Sequence, residues 1–491
     1  MSIDTGIVAA LLQAHGQRIV LGLWLLVAIG AAGHALLNRR DPRAAWGWIA
    51  VCWLFPFAGP ALYFLFGIDR IRTRARRMGI ESRVGERVGA DPDAPMRRRD
   101  DDGRHAIPRW LEEVARTADR LTGLPLLDGN RLRLLHNGDE AYPRMLEAIA
   151  RARHSIALAT YIFDNDALGR RFVDALAAAQ ARGVDVRVLI DGFGQHYSLV
   201  PITRRLRRAG IRTAVFNRLR LLPPSLHLNL RNHRKLLLID GETGFTGGMN
   251  IGRRHLLREP GVRRPAADLH FELQGPVLGQ LAEVFAEDWR LSANEAWPAP
   301  MLRARPVEGG AACRVITDGP NEDYDHLAMV LQAAISAAHH EVMVMTPYFL
   351  PPTAMVAELQ AAALRGVRVD VILPAQNNLP FVQWASRHML EDLLNYGVHV
   401  FEQPPPFNHS KLFAVDGVYA QIGSANLDPR SLKLNFELAV EVYDRAFAQS
   451  LAAHFTAVRA RSREITLDEI QNRPLPVRLR DALCWLFSPY L

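Results

Sequence analysis

Two short stretches of the chain carry the same pattern of ionisable residues. The first reads His233-Arg-Lys235-Leu-Leu-Leu-Ile-Asp240 and the second His409-Ser-Lys411-Leu-Phe-Ala-Val-Asp416. After six intervening residues, each aspartate is followed by a turn of small residues ending in asparagine, Gly247-Gly248-Met249-Asn250 and Gly423-Ser424-Ala425-Asn426. The 491 residues include only three lysines, against fifty-six arginines, yet two of the three occupy matching places in the two copies. A site that keeps lysine amid so much arginine uses a compact, mobile ammonium rather than a planar guanidinium. A histidine and a lysine two residues apart on an extended chain project to one face. Each copy therefore offers an imidazole, a cation and an amide donor. Together the copies suit a phosphoryl group: Lys235, Lys411, Asn250, Asn426 and the Ser424 hydroxyl would hold its oxygens, with His233 and His409 on opposite sides of phosphorus. One neutral imidazole would attack, giving a phosphohistidine. The other would protonate the leaving alcohol and deprotonate the incoming one.

A nucleophilic imidazole needs an acceptor for its second ring nitrogen. Asp268 and Glu437 follow their motifs at distances compatible with a neighbouring strand. Asp240 and Asp416 complete the motif and are counted with the catalytic set, although a strand-end aspartate more often braces a turn. The three cysteines, Cys52, Cys313 and Cys484, lie far apart without metal-ligand spacing. No metal, cofactor or disulfide framework is expected.

The elements that must position these residues repeat as well. Met145–Arg153 and Leu331–His339 read as helices, Ile156–Thr160 and Val342–Thr346 as buried strands, and Phe172–Arg182 and Ala357–Arg365 as helices stopped by Gly183 and Gly366. Alternating strands follow, then the apolar runs Leu236–Ile239 and Leu412–Val415. This β-α-β order predicts an α/β fold: two tandem domains, each a mixed sheet with mostly parallel central strands flanked by helices, forming one pseudo-symmetric active site.

Ahead of the repeat lie two apolar segments, residues 19–37 and 44–68, the second interrupted by Pro56, Gly59 and Pro60. The first approaches the roughly 20 residues that a spanning helix needs, and the second reads as a kinked span or a re-entrant hairpin. Arg39, Arg40 and Arg43 separate them, while Arg70, Arg72, Arg74, Arg76 and Arg77 follow. The larger cluster predicts a cytoplasmic main domain with both termini inside. The expected division is a membrane region over 1–77, a linker over 78–107 and repeat domains over 108–298 and 299–491. The last also carries an amphipathic tail, Leu479–Leu491, expected to pack on the core. A net charge of +8 and a pI near 9.7 suit an anionic partner, though arginine-rich composition alone gives the same balance.

The paired motifs resemble the phospholipase D superfamily. Phe163-Asp-Asn-Asp166, Asn232-His-Arg-Lys235, Thr246-Gly-Gly-Met-Asn250, Thr346-Pro-Tyr-Phe349, Asn426-Leu-Asp-Pro-Arg430-Ser431 and Leu434-Asn-Phe-Glu437, with the two apolar segments, resemble bacterial cardiolipin synthases over nearly the whole chain. The resemblance implies metal-independent transfer of a phosphatidyl group between two phosphatidylglycerols, giving cardiolipin and glycerol. It also implies His233 as nucleophile, oriented by Asp268, and His409 as general acid and base, oriented by Glu437. Phosphatidylglycerol, other anionic phospholipids and the bacterial inner membrane are the implied partners, with no nucleic acid. The motifs leave open a phospholipase D-type hydrolase or a synthase with another phospholipid donor, because acceptor choice depends on access to the pocket.

Overall fold

Leu236–Ile239 and Leu412–Val415, the apolar runs that follow the two histidine–lysine pairs, are strands buried along their whole length. Each is joined to the next strand by an Asp-Gly turn in which both residues have positive φ: 55° at Asp240 and 66° at Gly241, 51° at Asp416 and 60° at Gly417. Aspartate and glycine tolerate that conformation, and the turn closes a tight hairpin. The computed structural model describes residues 5–38, 42–67, 107–217, 230–297, 305–319 and 325–488, which fall into two units, Met1–Arg77 and Met78–Leu491. The linker expected over 78–107 lies almost wholly outside the described residues. So do Arg39, Arg40, the arginines from Arg70 to Arg77 and the last three residues of the tail.

In the larger unit the first half supplies β1 (Leu127–His136), β2 (Ser155–Thr160), β3 (Asp185–Asp191), β4 (Arg212–Phe216), β5 (Leu236–Ile239), β6 (Thr243–Gly247), β7 (Ala266–Ala267) and β8 (Leu269–Gln274). The second half supplies β9 (Ala311–Asp318), β10 (Glu341–Met345), β11 (Arg368–Pro374), β12 (His399–Gln403), β13 (Phe407–Asn408), β14 (Leu412–Val415), β15 (Tyr419–Gly423), β16 (Glu437–Tyr443) and β17 (Arg463–Ile465). Fifteen of these form one sheet in the order β17-β12-β11-β10-β14-β15-β16-β9-β1-β8-β6-β5-β2-β3-β4. Apart from β17 the order is symmetric about the β9–β1 pair, so the repeat read from the sequence is a repeat in space. The predominance of parallel pairing does not hold. Within this sheet, among the described residues, only β2-β3-β4 and β10-β11-β12 pair in parallel, towards the outer ends. Crossover helices Ala167–Ala181 and Thr353–Leu364 make those pairs and stop at Gly183 and Gly366, whose φ values are 91° and 88°. The central strands are linked by hairpins and returns, which enforce antiparallel neighbours.

Two seams join the halves. At the first, β1 pairs antiparallel with β9, and the buried Arg314 of β9 meets Glu441 Oε1 at 2.5 Å while donating to the carbonyls of Ala115 and Leu124. Helix Arg109–Thr122, which precedes β1 in the chain, buries Leu111, Val114, Ala115, Ala118 and Leu121 in the core of the second half. At the second seam, β7 pairs in parallel with β13, and Asn232 bridges Phe436. That seam builds the site.

In the smaller unit α1 (Thr5–Asn38) contains a stretch, Gly16–Asn38, that is long and apolar enough to cross a membrane. The second apolar segment folds differently. Its helix α2 (Pro42–Leu54) is only 13 residues long and ends before Pro56. Phe57 turns the chain with φ of 58°, and the segment doubles back on itself. Gly59 packs where a Cβ would lie 2.1 Å from the Val51 carbonyl oxygen. Trp53 packs edge-on against Trp24, midway along α1, whereas Tyr63 returns to His34, whose Nδ1 lies 2.7 Å from its hydroxyl. The second apolar segment thus folds as a helical hairpin rather than as one continuous helix.

Candidate active site

His233 and Lys235 lie on the extended segment that leads from Asn232 into β5, and His409 and Lys411 on its counterpart between β13 and β14. Each segment is held by the opposite half. The His233 amide donates to the Phe436 carbonyl at 2.9 Å, and the His409 amide to the Ala267 carbonyl at 2.7 Å. The asparagine before each histidine fixes the local shape: Asn232 Oδ1 accepts from the Arg234 amide and Asn408 Oδ1 from the Ser410 amide. Phe436 and Ala267 are the residues immediately before Glu437 and Asp268. Each histidine is therefore laid beside the other half's carboxylate.

The consequence is an exchange of the expected partners. His233 Nδ1 meets Glu437 at 3.0 Å, and His409 Nδ1 meets Asp268 at 2.8 Å. The implied pairing of His233 with Asp268 and His409 with Glu437 is overturned by the strand exchange at the second seam. An ionised carboxylate only accepts, so both imidazoles carry hydrogen on Nδ1 and present the Nε2 lone pair. Lys235 Nζ donates to the His233 carbonyl at 2.6 Å. Lys411 Nζ makes the equivalent bond and also stands 2.9 Å and 3.1 Å from the two ring nitrogens of His409. Among the described residues none donates to His233 Nε2.

Burial dominates the electrostatics. It pulls His233 down to about 4, with Glu437 opposing and Lys235 and Lys411 assisting. It takes His409 well below the ordinary imidazole value, helped by Lys411, Lys235 and His233. Lys235 falls to about 7 and Lys411 to about 8, again chiefly through burial. Each histidine thus feels the other half's lysine, so the four groups lie close enough to act on one another. Burial alone would raise Glu437, but His233, Lys235 and the Ser424 hydroxyl outweigh it and hold that carboxyl below the usual range. Burial wins at Asp268, which is raised.

The other expected site residues divide. Asn250 Oδ1 accepts from the Ile162 amide at 3.0 Å, which leaves its NH2 as the donor end. Asn426 differs, its amide nitrogen meeting Ser431 Oγ at 3.2 Å. The fully buried Ser424 is not a phosphate ligand in this arrangement. Its hydroxyl donates to Glu437 Oε2 at 2.5 Å and accepts from the Leu438 amide. Asp240 and Asp416 leave the catalytic set. Asp240 receives the amides of Arg153, His154 and Ser155, and Asp416 those of His339, His340 and Glu341. They sit past the far ends of β5 and β14, about 16 Å of extended chain from the lysines. Tyr161, with its ring 5.1 Å edge-on to His233, and Tyr348, 6.2 Å from His409, were not singled out by sequence reasoning. The signals were their place just past the ends of β2 and β10 and, for Tyr348, the Thr346–Phe349 stretch that carries the family resemblance. Among the described residues no group of three or more His, Cys, Asp and Glu is placed to hold a metal.

Comparison with known proteins fits this geometry. The family described as "Cardiolipin synthase, PLD-like domain" matches residues 145–289 and 331–459, one copy per half. The chain belongs to that family. A second description, "Phospholipase D-nuclease N-terminal", matches residues 22–67. Cardiolipin synthase A of Pseudomonas aeruginosa is 34% identical over 495 residues, with 98% of each chain covered. The major cardiolipin synthase of Bacillus subtilis is 30% identical over 487 residues, covering 97% of this chain and 99% of that one. Among solved structures, phosphatidylserine synthase of Haemophilus influenzae shares the fold, with a TM-score of 0.60 at 18% identity, covering 77% of this chain and all of that one.

Proposed function

We propose that the chain is a phosphatidyltransferase that makes cardiolipin and glycerol from two phosphatidylglycerols. The observation that carries the reading is the crossed pair of histidine–carboxylate contacts, with both lysines acting on both imidazoles. The donor phosphodiester binds between Lys235 and Lys411 with the Asn250 amide as a further donor, and its negative charge favours the protonated lysines. His233, whose Nε2 is open, attacks phosphorus. The bound diester's negative charge also favours protonation of His409 at Nε2, and the bond to the glycerol headgroup breaks as this imidazolium gives that proton to the leaving oxygen. In the second step His409 takes a proton from the terminal hydroxyl of the acceptor, whose oxygen attacks phosphorus as the phosphorus–nitrogen bond breaks. The full-length relatives named as cardiolipin synthases support this choice of donor and acceptor.

Within this reading residues 108–298 and 299–491 are the two catalytic halves and the enzyme sits in the bacterial inner membrane. The Arg70–Arg77 cluster argues for catalysis on the cytoplasmic side. With one crossing helix and a segment that doubles back, the amino terminus would lie on the opposite side from the catalytic unit. The test is incubation of the purified protein with phosphatidylglycerol vesicles in chelator, following products by mass spectrometry beside His233→Ala and His409→Ala. Cardiolipin plus glycerol, lost in both variants, is expected. Phosphatidic acid without cardiolipin would move the protein to the hydrolases.

A further inference from the structure

We propose that the loops after β3 and β11 form two apolar tips that dip into the acyl boundary of a phospholipid bilayer, one on each side of the histidines. The inference rests on the synthase reading and adds how so buried a site meets its substrate. Lys235 and Lys411 are buried, whereas both phosphatidylglycerols hold their phosphates in the headgroup layer. Either a diacyl lipid leaves the bilayer or the mouth of the site comes down to it. The two loops favour the second course.

The two histidine motifs enter the sheet at the carboxyl ends of its parallel strands, with Leu236 opposite Ala159 of β2 and Leu412 opposite Met345 of β10. At that same edge the chain leaves β3 towards helix Thr203–Arg208 and β11 towards helix Pro380–Leu394, at matching points of the repeat. Both connections turn large apolar side chains into solvent. Tyr197, Leu199 and Val200 do so in the first half and Leu379 and Phe381 in the second, with Leu199 fully exposed and Phe381 60% exposed. An asparagine pins each loop. The Asn165 amide donates to Ser198 Oγ at 3.1 Å and its Nδ2 to the Val200 carbonyl at 3.0 Å. Asn377 accepts from the Leu379 amide at 2.8 Å and donates to the Pro347 carbonyl at 2.6 Å. A tyrosine then ties each tip to the histidine of its own half. Tyr197 packs edge-on to Tyr161 with ring centres 6.1 Å apart, and Tyr161 edge-on to His233 at 5.1 Å. Tyr348 donates to Asn378 Oδ1 at 2.9 Å and packs edge-on to His409 at 6.2 Å. Single apolar residues scattered over a surface mean little, but two pinned groups at equivalent places flanking one site mark a docking surface. Charge names the occupant. Just after Val200, helix Thr203–Arg208 exposes Arg204, Arg205, Arg207 and Arg208. An apolar tip beside a row of guanidiniums suits a bilayer of anionic phospholipid, in which acyl chains cover the tip while phosphates meet the arginines.

A lipid that is already free of the bilayer does not need the tips, and the experiment uses that difference. The full-length chain is reconstituted in phosphatidylcholine vesicles. Long-chain phosphatidylglycerol is supplied within the bilayer, or dihexanoyl phosphatidylglycerol is added as dissolved monomers. Leu199→Ser/Val200→Ser and Leu379→Ser/Phe381→Ser should each lower turnover of the bilayer lipid about tenfold or more, as expected for losing two buried apolar side chains, and leave turnover of the monomer within about twofold. Equal losses on both forms, or no loss on the bilayer lipid, would overturn the proposal. Turnover counts every product, so a chain that made phosphatidic acid rather than cardiolipin would remove the synthase reading and leave this comparison intact. If the serine pairs do not fold, an environment-sensitive label on Leu199→Cys or Phe381→Cys, each with Cys484→Ser, reads depth directly. Quenching by spin-labelled phospholipid and not by aqueous iodide is expected. Quenching by iodide would overturn the proposal, and so would quenching by neither, the result if a second copy or another protein covers the tips.

Discussion

In the first half of the site His233 leans on Glu437, which also receives the Ser424 hydroxyl and the Asn435 amide. In the second, His409 leans on Asp268, whose other oxygen takes the Leu269 amide and whose flank is bare Gly248. A Cβ at Gly248 would lie 2.4 Å from Asp268 Oδ1, so a serine there has no room. Register shows the two carboxylates to be equivalent: Gly247 faces His270 in β8 and Gly423 faces Ala439 in β16, each two residues past its carboxylate. The same backbone therefore carries two different chemistries. Glu437 is held ionised by extra donors and orients an imidazole with an open Nε2. Asp268 is raised by burial and serves an imidazole crowded by Lys411. In the proposed mechanism this difference separates a nucleophile, His233, from a proton carrier, His409.

The largest effects should come from the histidines. Both alanine variants are expected to lose activity on phosphatidylglycerol by about a thousandfold or more. A phosphatidyl donor with a nitrophenol leaving group, which departs without a proton, should restore nitrophenol release by His409→Ala and not by His233→Ala. Equal rescue of both would erase the assigned roles. Next come the carboxylates. Glu437→Gln and Asp268→Asn should each cost about a hundredfold, because an amide can donate to Nδ1 and turn the imidazole to the wrong tautomer. If Asp268→Asn impaired formation of a trapped phosphoenzyme while Glu437→Gln spared it, the observed pairing would be wrong.

The turns should be asymmetric in the same sense. Ser424→Gly removes one hydrogen bond to Glu437 and should cost about tenfold, whereas Gly248→Ser displaces Asp268 and should cost more. Comparable, small losses in both would mean that the flanking residues do not tune the carboxylates. The pH profile of kcat/KM reports the free site. Both relevant shifts are downward. Activity should fall on the acid side as His233 takes its proton near about 4, and on the alkaline side as Lys235 loses its own near about 7. Bound phosphodiester favours charged lysine, so the alkaline limb of kcat should lie higher than that of kcat/KM. Coincident limbs would argue against Lys235 as a phosphate ligand. The smallest catalytic effect belongs to Asp240→Asn and Asp416→Asn. Each should keep kcat within about threefold while losing about 1–3 kcal/mol in denaturant unfolding, since each leaves buried backbone donors without an acceptor.

Much of this was legible in the chain. The doubled histidine–lysine motif, the stops at Gly183 and Gly366 and the buried runs before and after them are local patterns, and each became the expected element within a few residues. Even the bracing role of Asp240 and Asp416 was readable, because an aspartate followed by glycine between two apolar runs is a turn signal whatever surrounds it. Sheet direction was not. Parallel β-α-β units are visible as alternating periods, but the antiparallel centre depends on which hairpins stack against them.

The sequence by itself determined the parts: two imidazoles, two ammoniums and two carboxylates, each at matching points of a repeat, with an apolar helix ahead of them. Residue type and local spacing suffice for that, because strands, turns and helix stops are set by neighbours in the chain. Only the tertiary structure decided which carboxylate serves which histidine. That choice is made by hydrogen bonds between the Asn232–His233 segment and Phe436, and between β13 and β7, across just over two hundred residues of chain in the first case. Folding also set the two histidines apart, since the proximity of Lys411 to one and of Ser424 to the partner of the other exists only once both halves share a sheet.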